Sequence, residues 1–292
     1  MNLFNTLQTS PPAFYFTLGV LGLIVGSFLN VVIYRLPKML QNEWHRECRN
    51  LLEINDAGPG EEESYNLVLP RSRCPRCAHK ITALENIPIL SYILLAGKCS
   101  ACKAAISLRY PVIEFLSAVI AIFLAWRFGY SVQTILAIIL SWSLLVLSMI
   151  DIDEQLLPDD ITLPFLWFGL FANMFGVFTD IYSSLIGAML GYGILWSVYM
   201  MFKLLTGKEG MGYGDFKLLA MLGAWLGWQL IPLIILLSSV CGAVIGIGLI
   251  VLRKHDKSKP IPFGPYLALA GWIALVWGAE LLGMYSRWAI NV

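Results

Sequence analysis

The sequence is poor in charged residues and has no excess of charge of either sign. Only 13% of its 292 residues are Asp, Glu, Lys or Arg, whereas 58% are apolar and the mean hydropathy is +0.72. An ordinary soluble domain is about one quarter charged, so this composition excludes a soluble enzyme and a disordered chain. The net charge of +1 leaves no basic footprint for nucleic acid, and we expect no such partner.

The sequence also lacks the short alternating segments of a membrane β-barrel, and its apolar residues instead form continuous runs. The fold class that remains is an all-α polytopic membrane protein, for which the lipid bilayer is the first partner. A membrane helix needs about 20 mainly apolar residues. Such segments are predicted at 12–35, 110–127, 132–150, 161–178, 182–205, 216–229, 230–252 and 262–286.

The sixth of these eight predicted spans is the shortest. Its length of about 21 Å falls short of a hydrocarbon core of about 30 Å. The distribution of basic residues nevertheless favours a crossing here. If all eight spans cross the membrane, only Arg127 and Arg287 among the basic residues face outside. If the sixth span did not cross, the basic loop 253–259 would also lie outside.

The same distribution orients the chain. Eleven of the 20 Lys and Arg residues lie between Arg35 and Arg109, so we expect this stretch to be cytoplasmic and the N-terminus to be outside. No basic residue precedes the first apolar run, and no small-residue cleavage site follows it, so this run does not resemble a secretory signal.

Three parts of the chain differ in composition. Residues 1–36 hold the first transmembrane helix, and residues 37–108 form a polar cytoplasmic segment with five of the six cysteines. Residues 109–292 form a bundle of seven transmembrane helices. Within the polar segment, residues 55–64 have no apolar periodicity and are predicted to be a loop.

Two Cys-x2-Cys pairs in the polar segment indicate a metal site. Their cysteines are Cys74, Cys77, Cys99 and Cys102, with 21 residues between the pairs. Four thiolates in this arrangement suit a tetrahedral, structural Zn²⁺ site with no open catalytic position. Disulfides or free thiols are the alternatives, although a reducing cytoplasm disfavours disulfides. His79 is a further possible ligand, while Cys48 is expected to be a free thiol and Cys241 a packing residue.

Two clusters of acidic residues at predicted span ends are the candidate catalytic groups. One runs from Asp151 to Asp160 where span three ends, and the other is Gly-x-Gly-Tyr-Gly-Asp215 where span six begins. Two carboxylates close together away from water share a proton. One then acts as a base towards water while the other donates to a carbonyl oxygen, which is the chemistry of peptide hydrolysis without a metal.

Asp151 and Asp215 are the best candidates for this pair. Asp151 follows seventeen uncharged residues, and Asp215 stands beside three glycines that allow a peptide backbone to come close. The structural alternative is a helix cap together with an ion pair to Lys217 or Lys208, with the glycines as a flexible linker. Asp159 and Asp160 are interpreted as caps of span four.

At these residues the chain resembles the type IV prepilin peptidase family. The resemblance covers nearly the whole sequence and rests on several ordered motifs, which are Gly26-Ser-Phe-Leu-Asn30-Val-Val-Ile-Tyr-Arg35-Leu-Pro37, the two Cys-x2-Cys pairs, Glu85-Asn86-Ile-Pro88, Arg109-Tyr110-Pro111-Val-Ile-Glu114, Asp151-Ile-Asp-Glu-Gln-Leu-Leu-Pro158-Asp159, Gly207-Lys-Glu-Gly-Met-Gly-Tyr-Gly-Asp215 and Pro262-Phe-Gly-Pro-Tyr266.

The resemblance implies an aspartic protease of the Gly-x-Gly-Asp intramembrane type, with Asp151 and Asp215 as its catalytic residues. It implies cleavage of prepilins and pseudopilins of type IV pili and type II secretion systems. The cut falls after a leader-terminal Gly at the cytoplasmic face of the bacterial inner membrane. It further implies methylation of the new N-terminal amine by S-adenosylmethionine. The zinc is then structural and dispensable to the chemistry, since some family members lack the cysteines.

The methyltransferase site is not located by any motif, because no glycine-rich loop follows a strand. Glu114 is interpreted either as a contact for the substrate amine or cofactor or as a partner for Arg109 or another base. Asn30 and Asn173 are expected to make interhelical hydrogen bonds. Trp126, Trp225 and Trp288 are expected to be interfacial anchors.

Three other functions compete with this one. A peptidase without methyltransferase activity is the closest, because the sequence does not locate the second activity. A proton-coupled transporter would need acids at mid-membrane and an internal repeat, and no repeat is visible. A membrane-anchored zinc module that binds partners would leave the recessed pair of aspartates unexplained.

Overall fold

A computed structural model describes residues 3–53, 65–253 and 262–290. In these ranges the regular structure is helical, and strand pairing is limited to two isolated bridges. The predicted loop 55–64 and the basic residues Lys254, Lys257 and Lys259 lie outside the described residues. The chain divides into two compact units, Met1–Tyr130 and Ser131–Val292.

The described residues of the first unit, 3–53 and 65–130, form four α-helices and one 3-10 turn. The helices are α1 (Leu3–Thr9), α2 (Pro11–Leu51), α3 (Leu90–Leu94) and α4 (Arg109–Phe128), and the 3-10 turn is Leu84–Asn86. Helices α2 and α4 pack closely because α2 presents glycines to α4. A Cβ at Gly22 would lie 2.6 Å from the Cα of Ala118, and one at Gly26 would lie 2.7 Å from the Cα of Glu114. Small residues let membrane helices approach in this way.

Asn30 extends the contact between the same two helices. Its side-chain amide donates to the carbonyl oxygen of Tyr110 on α4 at 3.2 Å and to that of Gly26 on its own helix. The predicted interhelical hydrogen bond of Asn30 is therefore confirmed.

Helix α2 is much longer than the predicted first span. It continues from the predicted end at residue 35 through Pro37 to Leu51, giving a helix of 41 residues, or about 62 Å. The end of an apolar run marks where the bilayer ends, but good helix formers in the polar residues that follow keep the backbone helical.

In the second unit, six α-helices and a 3-10 turn are found within residues 131–253 and 262–290. The helices are α5 (Val132–Glu154), α6 (Asp159–Met174), α7 (Ile181–Thr206), α8 (Tyr213–Leu226), α9 (Ile231–Arg253) and α10 (Gly264–Ile290), and the turn is Trp228–Leu230. Each helix agrees with a predicted span to within about four residues, which is the ordinary error of such boundaries.

Helix α8 forms the core of the second unit. Every residue from Leu218 to Leu226 is buried, and the helix packs against α6, α7 and α10. At the contact with α7, Gly187 and Gly223 face each other so closely that a Cβ on either would overlap the other's carbonyl. The segment that seemed too short for a membrane span is thus enclosed by longer helices.

Two polar side chains join α6 to its neighbours. Asn173 is 1% exposed, and its amide donates to the carbonyl oxygens of Ala224 and Trp225, each at 2.9 Å. This confirms the interhelical hydrogen bond predicted for Asn173. The indole N–H of Trp225 donates to the carbonyl oxygen of Phe165 at 2.8 Å.

The interfacial role predicted for Trp225 is wrong, because this side chain is fully buried in the core of the second unit. Its place on a fully enclosed helix could not be recognised from its position near a span end. Trp126 is exposed, and the side chain of Trp288 lies outside the described residues.

Six helices of the described chain are long and apolar enough to cross a membrane: α2, α4, α5, α7, α9 and α10, with the α9 candidate extending from Trp228 to Gly248. Helices α6 and α8, with 16 and 14 residues, are shorter than a usual span. The protein is therefore a multi-pass helical membrane protein, and the total of eight crossings stays a prediction.

Candidate functional site

Burial distinguishes two aspartates from the other acidic residues of the two clusters. Asp151 is 6% exposed and Asp215 is 7% exposed. Asp153, Glu154, Asp159 and Asp160 are all exposed. The two residues singled out from the sequence are thus the two that the fold removes from water.

Asp151 lies in the last turn of α5, whose end is set by Gln155 in a left-handed conformation. The backbone N–H of Gln155 donates to the carbonyl oxygen of Asp151 at 3.0 Å. The carboxylate of Asp151 reaches the start of α10, where it accepts a hydrogen bond from the backbone N–H of Gly264 at 2.9 Å. One carboxylate oxygen is thereby held in place by a helix N-terminus, a favourable setting for a carboxylate.

Asp215 is the third residue of α8. Gly212 is the N-cap, and its carbonyl oxygen accepts the backbone N–H of Asp215 at 3.3 Å. The charge of Asp151 acts on the carboxylate of Asp215, so the two acids share one electrostatic environment. The fold therefore brings the two predicted catalytic residues together from α5 and α8.

Two glycines at the site leave space for neighbouring side chains, Gly264 for Asp151 and Gly214 for Leu157. A Cβ at Gly264 would lie 2.7 Å from Oδ2 of Asp151 and 3.2 Å from Cδ1 of Leu157. A Cβ at Gly214 would lie 2.7 Å from the Cβ of the same leucine. Leu157 is buried between the starts of α8 and α10, which closes the site on one side.

A chain of polar contacts holds the glycine-rich loop that leads into α8. Lys203, near the end of α7, forms an ion pair with Glu209 of this loop at 2.8 Å and donates to the hydroxyl of Tyr199 at 3.3 Å. The hydroxyl of Tyr199 in turn interacts with that of Tyr213, two residues before Asp215. These contacts argue against a flexible linker, because both ends of the loop are tied to α7.

The alternative interpretation of Asp215 as part of an ion pair is not supported by the described residues. Lys217 instead pairs with Asp159, at 2.6 Å, and Lys208 makes no ion pair with Asp215 in the described chain.

The cap interpretation of Asp159 is also wrong in detail. Pro158 occupies the N-cap position of α6 and Asp159 is its first helical residue, so it supports the helix through charge.

Sequence reasoning missed the contribution of Gly264. Its backbone N–H donates the hydrogen bond that holds the carboxylate of Asp151 against the start of α10. The signal was present in the motif Pro262-Phe-Gly-Pro-Tyr266, but no spacing rule shows that the start of α10 approaches the end of α5.

The four cysteines of the first unit form a compact cluster. All four Sγ atoms lie within 4.8 Å of one another, with 3.7 Å between Cys74 and Cys102 and 4.0 Å between Cys77 and Cys99. A tetrahedral Zn²⁺ with Zn–S bonds of about 2.3 Å separates its sulfurs by about 3.8 Å. The donor set and its dimensions therefore fit a structural zinc ion, and these separations are far above a disulfide bond length of about 2.05 Å.

The two halves of this cluster have the same backbone design. In each, the N–H of the second cysteine lowers the pKa of the first, to about 6 for Cys74 and in the same direction for Cys99. A lowered pKa favours the thiolate, which is the metal-binding form, at the first cysteine of each pair, whereas burial and the neighbouring thiols raise the pKa of Cys77 to about 12. His79 lies outside the cluster, since its Nε2 contacts the carboxylate of Glu85 at 3.3 Å.

Two buried charged residues hold the polar segment onto the helices of the first unit. Arg35 of α2 donates to the carbonyl oxygens of Asn66 and Pro70 at 2.8 and 2.6 Å. Glu114 of α4 accepts the backbone N–H of Ile89 at 2.8 Å. The sequence did not predict this anchoring role for Arg35, which marked the end of the first apolar run. The carboxylate of Glu114 also contacts the side chain of Ser27, and the two interpretations given for Glu114 stay predictions.

The fold and site together define a class: a multi-pass helical membrane protein with a buried pair of carboxylates at helix ends. Two family models match the chain. The bacterial peptidase A24 N-terminal domain matches residues 20–128, and the type IV leader peptidase family matches residues 138–247.

Curated relatives match over the full length. A prepilin leader peptidase/N-methyltransferase from Stutzerimonas stutzeri is 55% identical over 97% of both chains. Proteins of the same name from Pseudomonas aeruginosa and Legionella pneumophila are 54% and 42% identical, over 99% and 96% of this chain and 99% and 98% of their own. The chain belongs to the type IV leader peptidase family. No solved structure matches it significantly.

Proposed function

We propose that the chain removes the leader from prepilins and pseudopilins by aspartic protease chemistry and methylates the new N-terminus. The observation that carries the proposal is the pair of buried carboxylates, Asp151 and Asp215, in a chain more than 50% identical to prepilin leader peptidase/N-methyltransferases.

In the proposed hydrolysis the two aspartates hold one proton between them, as like charges removed from water do. The ionised aspartate takes a proton from a water molecule as its oxygen attacks the scissile carbonyl carbon. The protonated aspartate donates its proton to the carbonyl oxygen. On collapse of the tetrahedral intermediate the C–N bond breaks, and the leaving amine takes the proton that the first aspartate removed from water. One hydroxyl of the intermediate returns its proton to the second aspartate, which restores the pair and releases the mature N-terminus.

Glycines at the site let backbone lie close to the carboxylates. Gly264 stands against Asp151, and the Cβ position of Gly212 is open apart from Oδ2 of Asp215 at 3.9 Å. A side chain at Gly264 would press on the carboxylate of Asp151, and one at Gly214 would press on Leu157. The preference of the resembled family for a Gly before the cut is consistent with a site built close to backbone.

The location that we propose is the bacterial inner membrane, with the N-terminus outside and the site at the cytoplasmic end of its helices. Asp151 is in the last turn of α5 and Asp215 in the first turn of α8, so both lie near helix ends. Such positions favour a protease acting at a membrane interface over a transporter, which places its acids at mid-membrane.

The proposed methyl transfer uses S-adenosylmethionine as the source of the methyl group. The described ranges contain no strand leading into a glycine-rich loop, so the donor is bound by some other arrangement, and its residues stay unassigned. A peptidase without this second activity is the nearest alternative.

The proposed metal is a zinc ion on Cys74, Cys77, Cys99 and Cys102. Four thiolates complete a tetrahedral site, and no open position is left for substrate. The ion would stabilise the fold of the polar segment and take no part in hydrolysis.

The decisive experiment is mass spectrometry of a purified prepilin incubated with the detergent-solubilised protein and S-adenosylmethionine. The wild type is expected to remove the leader and add one methyl group. Asp151→Asn and Asp215→Asn should each leave the prepilin intact, since one carboxylate cannot supply both proton transfers. Asp153→Asn is the matched control, because Asp153 lies on the same helix but is exposed.

Each outcome separates the candidate functions. An uncut prepilin with wild-type protein would contradict the peptidase proposal, and cleavage by either Asn variant would identify a different carboxylate. Cleavage without methylation, together with no binding of labelled S-adenosylmethionine, would leave a peptidase alone.

A further inference from the structure

The polar segment of the first unit carries an exposed apolar surface. We name residues 65–108 the cysteine module. We name the exposed apolar side chains between its two cysteine pairs the apolar patch, which consists of Leu84, Ile87, Leu90, Ile93 and Leu94. Leu84, Ile93 and Leu94 are 78%, 65% and 83% exposed. Exposed leucine and isoleucine side chains this close together mark a binding surface rather than a solvated face.

The charge of the cysteine module is of one sign. Its basic residues are all exposed and are Arg71, Arg73, Arg76, Lys80, Lys98 and Lys103. Its single acidic residue, Glu85, forms its hydrogen bonds with other residues of the module. Glu85 accepts the backbone N–H and the hydroxyl of Thr82 at 2.8 and 2.9 Å, and it contacts His79. The surface of the module is therefore strongly positive, and its basic residues precede and follow the apolar patch in the sequence.

Two contacts place the apolar patch beside the ends of membrane helices. The N–H of Ile89, which lies within the patch sequence, is bonded to Glu114 in the second turn of α4. On α2, Arg35 holds the carbonyl oxygens of residues 66 and 70, just where the first apolar run ends. Because α2 and α4 are both long and apolar enough to cross a membrane, these contacts bring the module to the boundary between lipid and water.

From these three observations we infer that the apolar patch of the cysteine module inserts into the interfacial region of an anionic phospholipid leaflet. Apolar side chains flanked by Lys and Arg are the pattern of surfaces that lie in this region. The basic residues would then face lipid phosphates, whose attraction adds to the burial of the patch. A prepilin is a poorer fit, because the positive module repels a basic leader.

This arrangement gives the module a role that the metal alone does not explain. The two cysteine pairs flank the patch in sequence, so a metal ion on the cluster would hold the ends of the 78–98 segment together and present the patch as one surface. Membrane contact would then hold the cytoplasmic part of the first unit against the bilayer.

The test uses the full-length chain in lipid nanodiscs of phosphatidylcholine alone or mixed with phosphatidylglycerol. Leu94 is replaced by the photoreactive residue p-benzoylphenylalanine, and Ala101 is replaced in the same way as the control. Ala101 is also exposed but lies within the second cysteine pair. We expect lipid adducts at position 94 to exceed those at position 101 at least tenfold and to increase with the phosphatidylglycerol fraction.

A second measurement needs no substitution. Hydrogen exchange of the wild-type amides of residues 84–95 should slow at least threefold in the anionic nanodiscs compared with phosphatidylcholine alone, while exchange of residues 38–51 at the exposed end of α2 should not change.

Equal adduct yields at the two positions, or equal exchange in the two lipids, would overturn the inference. Adducts to added prepilin or to a second copy of the chain, in place of lipid, would also overturn it and identify the patch as a protein interface. Neither readout depends on cleavage, so this inference and the proposed activity can fail separately.

Discussion

Asp151 and Asp215 are held by backbone groups rather than by charged side chains. The N–H of Gly264 binds Asp151, and the N-terminal turn of α8 carries Asp215. Neither aspartate has an ion pair within the described residues. Two carboxylates held close together by backbone groups can share a proton, and this is what general acid–base hydrolysis requires.

The space at Gly264 can be tested by adding a single methyl group. In Gly264→Ala the new Cβ would lie 2.7 Å from Oδ2 of Asp151, so the carboxylate must move. Small displacements of catalytic groups lower rates by roughly 10- to 100-fold, and we expect such a loss in prepilin cleavage. Initial rates of leader removal, measured by mass spectrometry, provide the readout.

The matched control is Gly283→Ala on the same helix, α10. A Cβ at Gly283 meets nothing within 4 Å, so cleavage should stay near the wild-type rate. Full activity in Gly264→Ala would contradict the role assigned to the start of α10.

At the scale of helices, the short helix α8 shows how the site is built. Its 14 residues could have been a weak membrane span or a loop, yet nearly all of them are buried by α6, α7 and α10. An enclosed helix has a defined position, so the aspartate in its first turn is held more firmly than one on a loop.

The close contact between α7 and α8 should be sensitive to one added methyl group. In Gly187→Ala the new Cβ would overlap the backbone of Gly223, so the two helices must separate. Overpacking of this kind costs about 1–3 kcal/mol of stability. We therefore expect a lower midpoint of thermal unfolding in detergent and slower cleavage, because Asp215 moves with α8.

Gly193→Ala on α7 is the comparison. The position is helical and open, and an alanine there is favourable by about 0.5–1 kcal/mol relative to glycine. If both variants unfold at the same temperature, the α7–α8 contact does not limit stability.

At the scale of the whole molecule, the two compact units carry different chemistry. The carboxylate pair lies entirely within residues 131–292, and the four-cysteine cluster lies entirely within residues 1–130. The two family models fall on corresponding parts of the chain. The proposed metal site in one unit and the proposed hydrolytic pair in the other can therefore be perturbed separately.

Removal of the metal should loosen the first unit locally. In Cys74→Ser/Cys102→Ser two of the four thiolates are lost, and we expect bound zinc, measured by elemental analysis, to disappear. Hydrogen exchange should become faster for residues 65–108, because a zinc site stabilises the fold of its own small domain. The amides of α8 are the internal reference and should exchange as in the wild type. Exchange that is unchanged in residues 65–108 would show that the metal does not support this segment.

The sequence determined a large part of this result. Apolar run length predicted α4 to α10 to within about four residues, because burial in lipid requires long apolar segments, but it did not predict the extension of α2 from residue 35 to Leu51. The spacing of the cysteines predicted their cluster, since local turns bring each Cys-x2-Cys pair together. The long uncharged stretch before Asp151 and the isolation of Asp215 identified the two acids that the structure buries.

The tertiary structure alone decided what depends on contacts between distant segments. The approach of Gly264 to Asp151, the burial of Trp225 and the anchoring of the polar segment by Arg35 and Glu114 join residues that no local pattern relates. Periodicity shows which face of a helix is apolar, but it does not show whether lipid or another helix covers that face. For this reason the short span α8 was the least certain element of the sequence analysis and is the central element of the fold.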